Sequence, residues 1–141
     1  MMTPKERLDA AAHKQPTDRP PCICPGGMMN MMFQEIMENS GFRWPEAHSD
    51  ADKMAGLAIA LNKAGGFENY GVPFCMTVEA EAMGAEVNMG TLLAEPHITD
   101  LFLDSVHDWM KLKSIDLNQG RVKTVLDAIQ LLKQQNDGIP V

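Results

Sequence analysis

Between Tyr70 and Gly90 the sequence reads YGVPFCMTVEAEAMGAEVNMG, placing a thiol, Cys75, and two carboxylates, Glu79 and Glu81, in a segment otherwise mostly apolar or small. A thiol beside carboxylates suits chemistry, and it suits packing equally, because a free Cys behaves as a small buried hydrophobe. On a helix two residues apart, Glu79 and Glu81 diverge by about 200° and do not point at one ion together. A site role for at least one of them and a cap, salt bridge or surface position for both account for the pair equally well. Cys22 and Cys24 stand two apart in Cys22-Ile23-Cys24, a spacing that puts both thiols on one face of a strand. Two thiols without a third or a nearby His make a weak metal site. Gly26-Gly27 lets a substrate approach the backbone closely, and a turn needs the same residues. The four histidines, His13, His48, His97 and His107, sit at helix surfaces, a helix entry or after a proline, where solvent exposure or capping accounts for them.

The elements that position these groups follow from patterning. Thr3-Pro4-Lys5-Glu6 is a capping box with Pro at the first helical position, and it opens a short helix to about His13. Pro16, Pro20 and Pro21 end it. Cys22–Cys24 reads as a short strand closed by Pro25-Gly26-Gly27, and Met28–Asn39 as a helix. Five methionines between Met28 and Met37 read as adaptable core filling. Ser49 with Asp52 opens a helix whose Met54, Leu57, Ala58 and Leu61 form one stripe, stopped at Gly65-Gly66. Val72–Met76 is a second buried strand, and Thr77–Met83 a short helix begun at its exit. A further helix lies within Asp100–Lys113, capped near Asp104 or Ser105. In the last helix Val122, Val125, Leu126, Ile129 and Leu132 share a face before Asp137-Gly138, and Ile139-Pro140-Val141 is extended.

Strands alternating with helices predict an α/β fold. A helix, a Gly stop and an apolar extended segment together begin a further βα step, so the chain reads as a single incomplete domain over 1–141, too short for a (β/α)8 barrel of roughly 250 residues. Composition is that of an ordinary globular protein, with 45% hydrophobic and 22% charged residues. The net charge of −7 and 12 scattered Lys and Arg exclude a nucleic-acid surface. The sequence carries neither an apolar run of about 18 residues nor a signal peptide, so no membrane partner and a cytoplasmic, reducing location are expected. Three cysteines lack the spacing of a disulfide framework or a four-ligand zinc module.

The stretches MTPKERLDAA with DRPP, CPGGMMNMMFQEIMENSG, WPEAHSD and GGFENYGVPFCMTVEAEAMGA closely resemble the uroporphyrinogen decarboxylase superfamily, specifically its methylcobamide:coenzyme M methyltransferase branch. The resemblance covers nearly all of the chain and about the first two-fifths of such a protein. It implies the N-terminal portion of a TIM (β/α)8 barrel, preceded by a short N-terminal helical segment. It also implies a methyltransferase in which zinc activates a thiol such as coenzyme M to accept a methyl group from a methylated corrinoid protein. Decarboxylases of the superfamily carry Arg-Gln-Ala-Gly-Arg after the first strand, where Pro25-Gly26-Gly27-Met28-Met29 stands here, and an Asp whose place falls at Cys75. The cations that hold a porphyrinogen's carboxylates are missing, so decarboxylation is the weaker reading. A non-catalytic binding module, complete at this length, is the alternative from another class.

Methyl transfer to sulfur needs a thiolate, and a free alkyl thiol with a pKa of about 8.5 or above is mostly protonated at neutral pH. In the resembling family the zinc ligands are a His-x-Cys pair and a later Cys from the second half of the barrel. No His-x-Cys occurs here, so the metal site is expected to be incomplete and this stretch inactive alone. No His stands in the Asp-x-His-x-x-Gly setting of a corrinoid carrier, which places the corrinoid on a partner. Chemistry in such barrels occurs at the C-terminal ends of the strands. The loop from Cys75 to Glu81 is therefore expected at the site, with Glu79 as its catalytic and metal-binding carboxylate, since a first-turn position keeps it near the rim. Gly26, Gly27, Cys75, Thr77 and Glu81 are expected to line the substrate pocket.

Overall fold

A computed structural model of the chain describes residues 1–26, 32–100 and 102–141. The first helix, α1 (Pro4–Ala12), begins as the capping box requires: the Glu6 amide donates to Thr3 Oγ1 at 3.2 Å and the Thr3 amide to Glu6 Oε2 at 2.8 Å. Its buried residue is a cation, Arg7, which donates two bonds to the Asp18 carboxylate (2.7 and 3.0 Å) and one each to Glu68 Oε1 (3.2 Å) and the Met2 carbonyl (2.8 Å). The guanidinium thereby closes the proline-rich turn back onto the helix. Asp18 is held well below the usual carboxylate range, first by its hydrogen bond from Arg7.

The strands expected at Cys22–Cys24 and Val72–Met76 are extended or bent chain without a regular ladder. Pro20, Pro21, Pro25 and Pro73 remove the amides a ladder would use. What replaces it is specific: the Glu68 amide donates to the Cys22 carbonyl at 2.8 Å, and the Asn69 side chain bonds both the Cys24 amide (2.8 Å) and its carbonyl (2.6 Å). On the other side the Tyr70 amide donates to the Pro140 carbonyl at 2.8 Å, so the extended C-terminal residues lie beside 68–72.

Helix α2 spans Gln34–Ser40, within the expected Met28–Asn39 helix but for one residue, and positions 28–31 fall outside the described residues. After a 3-10 turn at Glu46–His48 comes α3 (Ala51–Lys63), capped by Asp50, whose side chain accepts from the Lys53 amide at 3.0 Å. The expected stripe of Met54, Leu57, Ala58 and Leu61 is buried. It faces α5 (Gly120–Gln134), which contributes Ala128 and Leu132, while Phe74 and Trp44 fill the end of the same core. Of the stripe expected on α5, Leu126 is turned outward instead.

Helix α4 (Val78–Met83) follows the bend at Phe74–Met76 and ends at Gly84. An antiparallel hairpin, β1 (Glu86–Asn88) with β2 (His97–Asp100), comes next, in the register Val87 opposite Ile98. The helix expected within Asp100–Lys113 is only a 3-10 segment, Val106–Lys111, with Ser105 accepting from the His107 amide as its cap. Helix and strand are thus both present, but among the described residues the regular strands form one antiparallel hairpin and not the parallel ladder that an α/β reading expects. Among the described residues no helix is long and apolar enough to cross a membrane.

Gly26 has φ of +97°, and a Cβ there would meet the Val72 carbonyl oxygen at 2.9 Å, whereas Gly41, with φ of +77°, has open space around that position. Both substitutions to Ala carry the left-handed penalty of about 1–2 kcal/mol. Gly26→Ala is expected to lose clearly more stability than Gly41→Ala in urea unfolding of the chain. Equal losses would show that the backbone of Val72 yields without cost.

Candidate functional site

The bend after Pro73 turns the chain so that Phe74 and Cys75 point into the core and Thr77 sits at the head of α4. Cys75 is 2% exposed and Thr77 6%. The Thr77 hydroxyl does not cap the helix it precedes; it donates to Cys75 Sγ at 3.4 Å and accepts from Arg121 Nη2 at 2.8 Å. Arg121 also donates from Nη1 to Cys75 Sγ at 3.3 Å and from Nε to Glu81 Oε2 at 2.5 Å. One guanidinium therefore gathers a thiol, a hydroxyl and a carboxylate, and it is itself only 7% exposed.

Arg121 escaped the sequence reading, although the signal was there. Positions 121, 125, 128 and 132 are spaced four, three and four apart, so the cation stands on the buried face of α5. A cation in the first turn of a helix opposes the helix dipole, and an anion beside it offsets that cost. Glu81 supplies the anion.

Glu81 and Arg121 open onto a cleft of about 610 Å³ whose lining includes Ser49, Lys113, Asp116 and Thr124. Cys75 and Thr77 lie behind its wall. Of the expected site residues the structure thus brings Cys75, Thr77 and Glu81 together. Glu79 projects to solvent from the other side of α4, the divergence that their spacing predicts. Gly26 lies apart from the cleft, packed against the Val72 carbonyl, and Gly27 falls outside the described residues. Cys22 is exposed while Cys24 is buried, so the two thiols do not share an environment. Among the described residues no three His, Cys, Asp or Glu side chains converge to hold a metal ion.

His48 departs from its expected exposure. It is 1% exposed, and its ring lies 5.0 Å from that of Trp44 and 6.2 Å from that of Phe74, with neither ring nitrogen hydrogen-bonded among the described residues. Burial, and secondarily the charge of Arg121, pushes its pKa down to about 4, so it is neutral at neutral pH. His13, His97 and His107 are exposed, as their settings suggested.

Comparison with known proteins gives a match to the family Uroporphyrinogen decarboxylase (URO-D) over residues 3–141. The chain is 44% identical over 133 residues to the methylcobamide:CoM methyltransferase MtbA of Methanosarcina acetivorans, and 36% identical over 133 residues to the methylcobamide:CoM methyltransferase MtaA of Methanosarcina barkeri. Each alignment covers 94% of this chain and 38% of the relative, so the chain spans well under half the length of these proteins. A solved structure of a methyltransferase from Methanosarcina mazei superposes with a TM-score of 0.84 at 33% identity, over 99% of this chain and 41% of that one.

The buried His48 makes stability depend on pH. Its pKa is near 6.5 when unfolded and about 4 when folded, so between those values the unfolded state binds the extra proton. Stability from this group is full above about pH 6.5 and is lost as pH falls to about 4, by up to about 3 kcal/mol. In urea unfolding at pH 7 and pH 4.5, His48→Leu is expected to lose less stability on acidification than the unsubstituted chain. Identical losses would mean that His48 protonates as readily folded as unfolded.

Proposed function

The chain belongs to the uroporphyrinogen decarboxylase (URO-D) family, and from that premise we propose that it is the N-terminal part of a (β/α)8 barrel that transfers a methyl group from a methylated corrinoid protein to a thiol such as coenzyme M. The observation that carries this reading is the 44% identity, across 94% of the chain, to a methylcobamide:CoM methyltransferase. The chemistry of the residues agrees with it. A decarboxylase must hold several carboxylates, and the buried cation at this site, Arg121, already holds Glu81. In the transfer, the acceptor sulfur attacks the methyl carbon as a thiolate, a carbon–sulfur bond forms, and the cobalt–carbon bond breaks with its electron pair left on cobalt.

Zinc, which the family resemblance implies for activating the acceptor, does not fit the described residues as they stand. The Cys75 sulfur faces a guanidinium, Glu81 is paired with that same group, and no third ligand converges on either. The chemistry of the donor set therefore requires ligands from elsewhere. The carboxylate left without Arg121 is Glu79, at the solvent side of the first turn of α4. It is the group this segment offers to the remainder of the protein. Glu81 lines the cleft, Cys75 and Thr77 support it from behind through Arg121, and the protein works in the cytoplasm as an enzyme meeting a corrinoid-carrying partner.

The test is a chimaera in which this chain replaces the matched 133 residues of the Methanosarcina acetivorans relative. With methylcobalamin and coenzyme M it is expected to form the methyl thioether. A folded chimaera that binds zinc but transfers no methyl group would refute the methyltransferase reading and favour a binding module. In the active chimaera Glu79→Gln is expected to lower zinc content and rate by about tenfold or more. If only Glu81→Gln does so, the working carboxylate is Glu81.

A further inference from the structure

We propose that Arg121 is the positioning residue of this site, a fork that fixes the Cys75 sulfur, the Thr77 hydroxyl and the Glu81 carboxylate against one another at the wall of the cleft. The inference rests on the methyl-transfer reading for its consequence in activity, but its geometry stands independently. The guanidinium directs three different nitrogens at three different side chains: Nε to Glu81, Nη1 to Cys75 and Nη2 to Thr77. Because the Thr77 oxygen accepts from Arg121, its own proton is left to point at Cys75 Sγ, which fixes the hydroxyl rotor as well.

The need for such a fork is local. Helix α4 has six residues and no side-chain cap, too short to hold its first turn by its own hydrogen bonds. Its orientation comes from neighbours. Arg121 reaches it from the first turn of a fifteen-residue helix that Ala128 and Leu132 anchor in the core. Helix geometry separates the two carboxylates, and this contact distinguishes them: Glu81 is held at the cleft wall, and Glu79 faces outward. Arg121 thus sets which carboxylate is neutralised and which is presented.

Lysine carries the same charge but cannot form a planar fork, so Arg121→Lys separates charge from geometry. Two measurements decide. In urea unfolding of the 141-residue chain, a double-mutant cycle between Arg121→Lys and Thr77→Val is expected to show coupling of about fivefold or more in the folding equilibrium. Additive effects overturn the fork. In the chimaera, Arg121→Lys is expected to lower kcat by about tenfold or more while KM for the thiol stays within about twofold, with rates corrected for the folded fraction. Full kcat in Arg121→Lys, or a loss that vanishes after that correction, overturns the positioning role. If the unsubstituted chimaera is inactive while the cycle shows coupling, the methyl-transfer reading fails and the fork stands.

Discussion

A buried guanidinium is the constraint on which the functional half of this structure depends. Removing a charged group from water costs several kcal/mol unless its hydrogen-bonding capacity is met. Arg121 meets it through residues 40 to 46 positions earlier, at the entrance and in the first turn of α4. That requirement docks α4 onto α5, and α5 is docked in turn on α3 through Ala128 and Leu132. The bend at Phe74–Met76 is consequently held from both sides, with Phe74 in the core and Thr77 on the fork.

A second buried arginine performs the same task at the other end of the molecule. Arg7 connects α1 to Asp18 and Glu68, and Glu68 receives Arg19 and the Cys22 amide as well, which lowers its pKa. Around residue 70 the chain is stitched again: the Tyr70 hydroxyl donates to Asp137 at 2.5 Å, and burial together with that bond pushes its pKa up to about 12. The segments 22–24, 68–72 and 138–141 therefore lie side by side in chain order, each preceded or followed by a helix. Helices α2 and α3 connect the first of these segments to the second, and α4 and α5 the second to the third.

Much of this was legible in the sequence where local chemistry decides the outcome. Thr3 and Glu6 make the cap that their spacing announces, and the stripe from Met54 to Leu61 is buried. The elements that escaped are those decided by tertiary context. Proline-flanked apolar runs at 22–24 and 72–76 signal strands, yet 22–24 is held by the Asn69 side chain and an isolated amide, and 72–76 is bent chain without a regular ladder. The hairpin was unreadable because its strands have three and four residues, with Val87 and Ile98 as their only apolar positions, too little alternation to stand out from loop. His48 looks in sequence like a capping residue, and only the packing of Trp44 and Phe74 around it reveals burial.

The candidate site shows where such reading stops. The Cys75–Glu81 loop could be located from its residues, and the angular separation of Glu79 from Glu81 follows from helix geometry alone. Which carboxylate faces which way could not, because that depends on the partner each one finds. A carboxylate 2.5 Å from a buried guanidinium has its charge compensated in place, and binding a metal there would require breaking that ion pair and leaving the cation uncompensated. An exposed carboxylate on the same short helix carries no such cost. The physical asymmetry between Glu81 and Glu79 therefore originates with Arg121, on another helix, and only the fold brings the three together.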